Sequence, residues 1–383
     1  MKILVVDDEP DLEVLVRQKF RRQVQQGRFD LVFARNGAEA LDVLVRDTSI
    51  NIVLSDINMP VMDGLTLLGK LTELDRILKA VIVSAYGDMK NIRIAMNRGA
   101  FDFVTKPIDF QDLETTINRT LDEILSLKRS LHDRTQLNAL QQELSIAARI
   151  QQSILPRVFP VFPDRTEFDL FATMTPAKEV GGDFYDFFLV DGERLGFVIG
   201  DVSGKGVPAA LFMAVCRTLL RATAMQVSSA GECLQYVNKV LAADSTDSMF
   251  VTLFYGILNF RTGEVEFAVG GHNPPYIFSE SGVRPLPFEG GMIVGIKQGV
   301  IYASERIQLR PGEGLFLFTD GLTESANEAQ ELFSEQRLEA ALQNCAAQPL
   351  QKLVGSVAEE VRKFVAGAPQ ADDLTIMTVL YRG

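Results

Sequence analysis

Aspartates at the ends of apolar runs are the side chains best placed to do chemistry in this 383-residue chain, and they fall into two groups. In the first, Asp7 and Asp8 follow the apolar run at 2–6, Asp56 follows 52–54, and Lys106 follows 101–104. Three carboxylates converging on one edge of a sheet cannot all stay ionised without a cation, and the Lys106 ammonium supplies one further positive charge. In the second group, Asp183 and Asp201 flank two apolar runs folded back on Asp191-Gly192, a dipeptide that favours the positive φ angles of a tight hairpin turn. A loop of about three residues centred on Gly192 sets Asp183 opposite Asp201. Like charges facing each other across a ladder are destabilising, so such a hairpin needs cations between its carboxylates. Asp320 closes the apolar run Leu315-Phe-Leu-Phe-Thr, and Asp372-Asp373 opens Leu374-Thr-Ile-Met-Thr-Val, which extends the group to a four-point cluster. Oxygen ligands with no nearby His or Cys favour magnesium or manganese over zinc.

The elements that must carry these residues change character along the chain. Over residues 1–120, strands at 2–6, 30–34, 52–54, 80–83 and 101–104 alternate with helical stretches. That pattern predicts a flavodoxin-like α/β domain with a parallel sheet covered on both faces and its site at the carboxyl ends of the strands. A helical connector, 121–156, carries on from the last helix of that domain with no Gly or Pro before Pro156. Ile117, Leu121, Ile124, Lys128 and Leu131 keep an alternating four and three spacing, as do Leu137, Leu140, Leu144, Ala147, Gln151 and Ile154, with a one-residue slip across His132-Asp-Arg-Thr135. Two phased segments with a slip predict a coiled coil and a parallel homodimer; a surface helix packed on its own domain is the alternative. Residues 157–383 are strand-rich, with strands at 168–175, in the hairpin, and at 250–259, 265–269, 275–278, 301–309, 314–318 and 374–381. Helices are expected at 209–225, 231–242, 334–347 and 350–364, giving an α+β domain of two packed antiparallel sheets flanked by helices.

A net charge of −12 argues against an output that grips phosphate backbones, so no nucleic acid is expected as a partner. Cys216, Cys233 and Cys345 are too scattered for a disulfide framework or zinc knuckle, consistent with a reducing cytoplasm. No apolar run approaches the ~20 residues of a bilayer span, and the start lacks a signal-peptide core, so no membrane association is expected.

The first domain resembles the receiver domain of two-component response regulators, through Val6-Asp7-Asp8-Glu9, Asp56-Ile-Asn-Met-Pro-Val-Met-Asp-Gly64, Ser84-Ala85-Tyr86 and Thr105-Lys106-Pro107. The resemblance implies Asp56 as phosphoacceptor, with Mg2+ held by Asp8, Asp56 and the Asn58 carbonyl, and by Asp7 through water. It implies Ser84 and Lys106 as ligands of the phosphoryl oxygens, Phe103 as the aromatic that turns inward with Ser84, and a cis Lys106-Pro107 bond. A carboxylate clamped between a metal and an ammonium can attack an in-line phosphoryl group. His132, alone in a polar helix, reads as a solvated residue and not as a relay histidine.

From Ala147 to the C-terminus the chain resembles the metal-dependent protein phosphatases of the PPM/PP2C type, in the bacterial branch that acts on regulators of sigma factors. The motifs are Pro176-Ala-Lys-Glu-Val-Gly-Gly-Asp-Phe-Tyr-Asp186, Gly200-Asp-Val-Ser-Gly-Lys-Gly206, Gly270-Gly-His-Asn-Pro-Pro275, Thr319-Asp-Gly-Leu-Thr-Glu324 and Asp372-Asp-Leu-Thr375. The resemblance implies two Mn2+ or Mg2+ ions bridged or flanked by Asp183 and Asp201, with the Val202 carbonyl completing one shell and Asp320 and Asp372 holding one ion. Asp373 is the less favoured ligand of its pair. Two such ions lower the pKa of a shared water and neutralise charge on the phosphoryl oxygens, so no protein nucleophile is required. Cys216-Arg217 has no phosphate-cradling loop before it, and Gly204-Lys205-Gly206 lacks the spacing of a nucleotide-binding loop. Ser203 and Thr319 read as turn and strand residues. His272 has two competing roles, general acid or loop residue. No arginine lies near Asp183 in sequence, which leaves Lys178 or Arg194 as candidates for substrate recognition.

Together these readings predict a cytoplasmic response regulator, phosphorylated by a sensor histidine kinase, that controls a protein serine/threonine phosphatase. The resemblance implies a phosphorylated anti-sigma-factor antagonist of the STAS type as substrate, and a switch role for the segment 147–155. The alternatives are a catalytically inactive pseudo-phosphatase serving as an adaptor and a passive phosphate sink.

Overall fold

The computed structural model describes residues 1–244 and 249–383, and the chain divides into two compact units, Met1–Leu140 and Gln141–Gly383. In the first, β1 (Lys2–Val6), α1 (Pro10–Lys19), α2 (Arg21–Gln25), β2 (Asp30–Ala34), α3 (Gly37–Arg46), β3 (Ile50–Asp56), α4 (Gly64–Leu71), β4 (Lys79–Ala85), α5 (Met89–Asn97) and β5 (Asp102–Lys106) lead into α6 (Phe110–Ile154). The strands form one parallel sheet in the order β2-β1-β3-β4-β5. Because side chains alternate along a strand, each central strand feeds two cores. Leu4, Val6, Val53 and Ile82 pack with Leu44, Leu67 and Ala95, whereas Ile3, Val5, Ile52 and Val81 pack with Val16, Leu113 and Ile117. β3 runs beyond its apolar core because its polar residues are satisfied locally: Asn51 donates to the Ile77 carbonyl and Ser55 to the Asp56 carbonyl.

The first seam expected of α6 belongs to this unit. Ile117, Leu121 and Ile124 are buried in the core of this unit, and Lys128 donates to Asn51 Oδ1 at 2.9 Å, so their four-and-three spacing serves packing on the helix's own domain and not a partner chain. Further along, Leu131, Leu137, Leu140, Ile146 and Ile150 are exposed.

The second unit continues with β6 (Phe168–Thr175), β7 (Phe184–Leu189), β8 (Arg194–Val202), α7 (Val207–Ala224), α8 (Ala230–Asp244), β9 (Val251–Asn259), β10 (Glu264–Gly270), β11 (Tyr276–Ser279), β12 (Gly282–Pro285), β13 (Glu305–Gln308), β14 (Gly314–Phe318), α9 (Asp320–Thr323), α10 (Ser334–Cys345), α11 (Leu350–Val365) and β15 (Leu374–Tyr381). Two five-stranded antiparallel sheets result, β13-β10-β9-β8-β7 and β12-β11-β14-β15-β6. β14 shows how they share the core: Leu315 and Leu317 face a cluster with Phe197, Ile199 and Phe254, while Phe316 and Phe318 turn the other way onto Leu338, Leu342, Leu353 and Val357 of α10 and α11. α7 is long and apolar enough to cross a membrane by length and composition, but Ala209, Met213, Cys216 and Leu220 bury one of its faces in this core.

Three local expectations are corrected. The hairpin loop is the expected three residues, but Gly192 does not take a positive φ; the Asp191 carboxylate closes the turn by accepting from the backbone N–H groups of Glu193 and Arg194. β13 is shorter than 301–309 because Tyr302 turns into the core and Ser304 Oγ accepts from Gly231 N, which ends pairing before Glu305. β12 and α9 were not expected, since Gly-Val-Arg-Pro reads as a turn and α9 is a single helical turn.

Candidate metal and phosphoryl-transfer sites

In the first unit, β1 and β3 end side by side and deliver Asp7, Asp8 and Asp56 so that one ligand oxygen from each lies within 4.8 Å of the others. Lys106, from the end of β5, places Nζ 2.7 Å from Asp56, 3.0 Å from Asp7 and 3.1 Å from Glu9. Burial works against the charged ammonium, but these hydrogen bonds outweigh it and raise the lysine pKa. Asp7 is raised, by desolvation first, with Lys106 opposing. Ser84 Oγ is buried with no hydrogen-bond partner, an acceptor and donor left over for a ligand at the end of β4. Phe103 packs inward against the core, and Lys106-Pro107 is cis. Asn58 follows Asp56 in the loop, its backbone N–H directed at Asp56 Oδ1.

In the second unit, the β7–β8 register pairs Phe184 with Gly200, and one further step along it sets Asp183 opposite Asp201. Asp183 is fully buried; its Oδ2 accepts from Thr319 Oγ1 at 2.7 Å and Thr375 Oγ1 at 2.6 Å, so two strands of the other sheet hold one carboxylate. Desolvation first, and then the charge of Asp201, pushes its pKa well above the carboxylate range. Asp201 is pushed up to about 7 by desolvation and by Asp320, against a hydrogen bond with Asp183. Asp320, at the start of α9, is raised by desolvation, Glu324 and Asp372. These acids therefore sense one another across four segments, although among the described residues no three of them meet at the 4.8 Å spacing of the first site. The neighbouring acids Asp372 and Asp373 part company. Asp373 is spent on backbone: its Oδ1 accepts from Ala177 N, and its Oδ2 from Gly182 N at 2.6 Å and Asp183 N at 3.3 Å. Asp372 is half-exposed and pairs with Lys205 at 2.9 Å. Gly181 and Gly182 are required here, because a Cβ on the first would stand 2.3 Å from Asp373 Oδ2 and on the second 2.8 Å from the Val202 carbonyl oxygen. Uncompensated buried carboxylates and a carbonyl, with no His or Cys among them, suit hard divalent cations.

Comparison with known proteins follows the same division. A family model for the response regulator receiver domain matches residues 3–118, and one for stage II sporulation protein E (SpoIIE) matches residues 191–382. The chain belongs to the SpoIIE family and carries a receiver domain. It is 30% identical over 265 residues to Protein IcfG of Synechocystis, covering 62% of this chain and 41% of that protein. It is 29% identical over 223 residues to the phosphoserine phosphatase RsbU of Bacillus subtilis, covering 57% of this chain and 65% of RsbU. The match thus spans less than two thirds of either relative. The fold of the SiaA-PP2C domain of Pseudomonas aeruginosa superposes on 64% of this chain and 98% of that one, with a TM-score of 0.57 at 23% identity.

Other residues of the SpoIIE-family unit were not singled out by sequence reasoning for what they do. Gln151, placed on the second seam of the connector by its spacing, is buried instead: Nε2 donates to the Gly181 carbonyl at 2.6 Å and Oε1 accepts from Gly181 N at 3.1 Å. The end of α6 thereby grips the backbone two residues before Asp183. Tyr185 adds a bond from its hydroxyl to the Pro156 carbonyl. Asp186, fully buried, is held by Arg217 at 2.9 Å and Arg221 at 3.1 Å from α7. Arg194 is corrected as a substrate-binding candidate: it starts β8, at the opposite end of the strand from Asp201, and is bound to Asp191 and the Ser228 carbonyl. Lys178 is exposed, its stem beside Gly206. His272 is buried with Nδ1 2.9 Å from Thr252 Oγ1, and burial lowers its pKa to about 4, a neutral imidazole anchoring a loop. Ser203 Oγ accepts from Phe250 N, a turn role.

Proposed function

We propose that this chain is a cytoplasmic two-component response regulator whose receiver, phosphorylated on Asp56 by a sensor histidine kinase, controls a metal-dependent protein serine/threonine phosphatase. The observation that carries the enzymatic half is a fully buried Asp183 facing Asp201 with no protein cation between them. Such a pair is costly to keep ionised in the fold unless cations bind, a cost that a mere adaptor has no reason to retain. Two Mg2+ or Mn2+ ions would be held by Asp183, Asp201, Asp320, Asp372 and the Val202 carbonyl. When bound, the ions supply an activated water and offset phosphoryl charge. The chain's own residues then orient: Thr319 and Thr375 fix Asp183, and Asp373 fixes the Gly181-Gly182 loop. Cys216, buried with its thiol pKa raised by desolvation, is no nucleophile.

In the receiver, Asp56 would attack the donor phosphoryl group, with Mg2+ held by Asp8, Asp56 and the Asn58 carbonyl, and by Asp7 through water. Lys106 and Ser84 would take the phosphoryl oxygens, and Phe103 would follow Ser84 inward. The change would reach the phosphatase through α6, which carries Ile117 and Leu121 in the receiver core near one end and the Gln151 grip on Gly181 near the other. The exposed leucines 131, 137 and 140 between them support a parallel homodimer. Likeness to the phosphoserine phosphatase RsbU supports a phosphoserine substrate, and the protein proposed to carry it is a phosphorylated anti-sigma-factor antagonist of the STAS type.

The test is hydrolysis of p-nitrophenyl phosphate and of candidate phosphorylated antagonists with manganese, with and without a small-molecule phosphodonor. Activity that survives Asp183→Ala or Asp320→Ala would sink the phosphatase assignment. Equal regulation by the phosphodonor in Asp56→Ala would sink the coupling.

A further inference from the structure

We propose that Lys205 is the phosphoryl-binding cation of the phosphatase site, exchanging Asp372 for the phosphoryl group of the substrate when that carboxylate serves as a metal ligand. This rests on the two-ion reading above and adds the residue that recognises the phosphate. Lys205 Nζ lies 2.9 Å from Asp372 Oδ2 and also donates to the Ala371 carbonyl. Among the described residues it makes the ion pair to this group of acids, and its charge also acts on Asp320. Arg217 and Arg221 are committed to the buried Asp186 and Arg194 to the hairpin turn, while Lys178, with its stem beside Gly206, makes no ion pair with these acids among the described residues.

Charge balance gives the lysine its task. Four carboxylates and two divalent ions cancel, so a phosphomonoester dianion arriving at the loaded site needs a further positive charge from the protein. Once a metal takes Asp372, the ammonium loses its partner and can serve. The loop lets it swing. Gly204 and Gly206, at φ +87° and +78°, flank Lys205 with no Cβ on either side, and the lysine side chain is 37% exposed on a flexible stem. The same contact makes Lys205 a competitor of the metal for Asp372, so its removal should tighten metal binding while it weakens phosphate binding. A residue that merely braced the loop would not produce those opposite changes.

The experiment compares the full chain with Lys205→Met and Lys205→Arg, using calorimetric titration with Mn2+ and steady-state hydrolysis of p-nitrophenyl phosphate at saturating Mn2+. Lys205→Met should raise KM, and the inhibition constant of inorganic phosphate, by about tenfold with a smaller change in kcat. Its Mn2+ affinity should rise about two- to fivefold, the size expected for loss of a half-exposed ion pair. Lys205→Arg should restore most of the phosphate affinity. Unchanged KM and phosphate inhibition in Lys205→Met, or weaker Mn2+ binding, would overturn the assignment while leaving the two-ion reading intact. A wild-type chain that takes up no Mn2+ would overturn both.

Discussion

The receiver site and the proposed metal site of the SpoIIE-family unit use the same side chain for opposite ends. In the receiver, Asp7, Asp8 and Asp56 crowd around one point, and Lys106 reaches into that crowd to bond two of them and Glu9. One cation is built in, Asp8 is exposed, and a single further ion completes the balance. In the phosphatase unit, Asp183, Asp201, Asp320 and Asp372 are drawn from four segments and spread beyond that spacing. The most buried of them has hydroxyl donors and no ammonium. The lesson concerns where charge is neutralised. Asp56, the proposed nucleophile, is buried but paired with a built-in ammonium, whereas Asp183, a proposed ion ligand, is buried, aimed by neutral donors and left electrostatically unfinished.

The sharpest way to break this contrast is to neutralise one acid in each site. Asp201→Asn should lower manganese-dependent hydrolysis by about three orders of magnitude, the loss expected when charge stabilisation of several kcal/mol disappears. Asp56→Ala should leave basal hydrolysis within about twofold and remove only the response to a phosphodonor. Comparable losses in both variants, measured as initial rates, would mean that the sites are not separable in role.

A second pair of substitutions contrasts the cations. Arg217 sits on a carboxylate with no solvent exposure, so Arg217→Met should leave Asp186 with only the more exposed Arg221 and lower stability by about 2 kcal/mol in urea denaturation. Lys106→Met, at a site where the lysine side chain is 23% exposed, should change the first unit's stability by about 1 kcal/mol. Gln151→Ala comes next: Gly181 N–H and C=O both lose buried partners, which costs about 2 kcal/mol. It should also lower hydrolysis and blunt the phosphodonor response, because the backbone before Asp183 is no longer tied to α6. A variant as active and as responsive as wild type would remove α6 from the coupling.

How far these features were legible in sequence follows from the range of the interactions involved. The receiver strands and the Asp183–Asp201 register could be read directly, because apolar alternation and a fixed loop length determine them locally. The seam of α6 was misread because a four-and-three spacing is the same whether Ile117 and Leu121 meet a partner helix or their own sheet. Gln151 was counted in a seam for its position, while its amide in fact satisfies a backbone loop thirty residues on. The split between Asp372 and Asp373 needed coordinates, since adjacent residues on an opening strand differ only in which way they point. Lys205 was considered only as part of a nucleotide-binding loop that its spacing excludes, because its partner Asp372 is remote in sequence.

The smallest expected effect tests whether the phosphatase side is as dry as its raised aspartates imply. His272 is held neutral, with a pKa of about 4 set by burial, whereas an unfolded histidine titrates near 6.5. Between those values the unfolded chain binds more protons, so folding stability contributed by this residue is present above pH 6.5 and is lost as the pH falls toward 4. From pH 7 to 5.5 the loss should be about 1 kcal/mol. His272→Gln should flatten that part of the slope for the second unit, read by pH-dependent urea denaturation. Equal slopes in wild type and His272→Gln would mean that water reaches the imidazole. The burial invoked for the neighbouring strand ends would then be too weak to leave their acids dependent on metal.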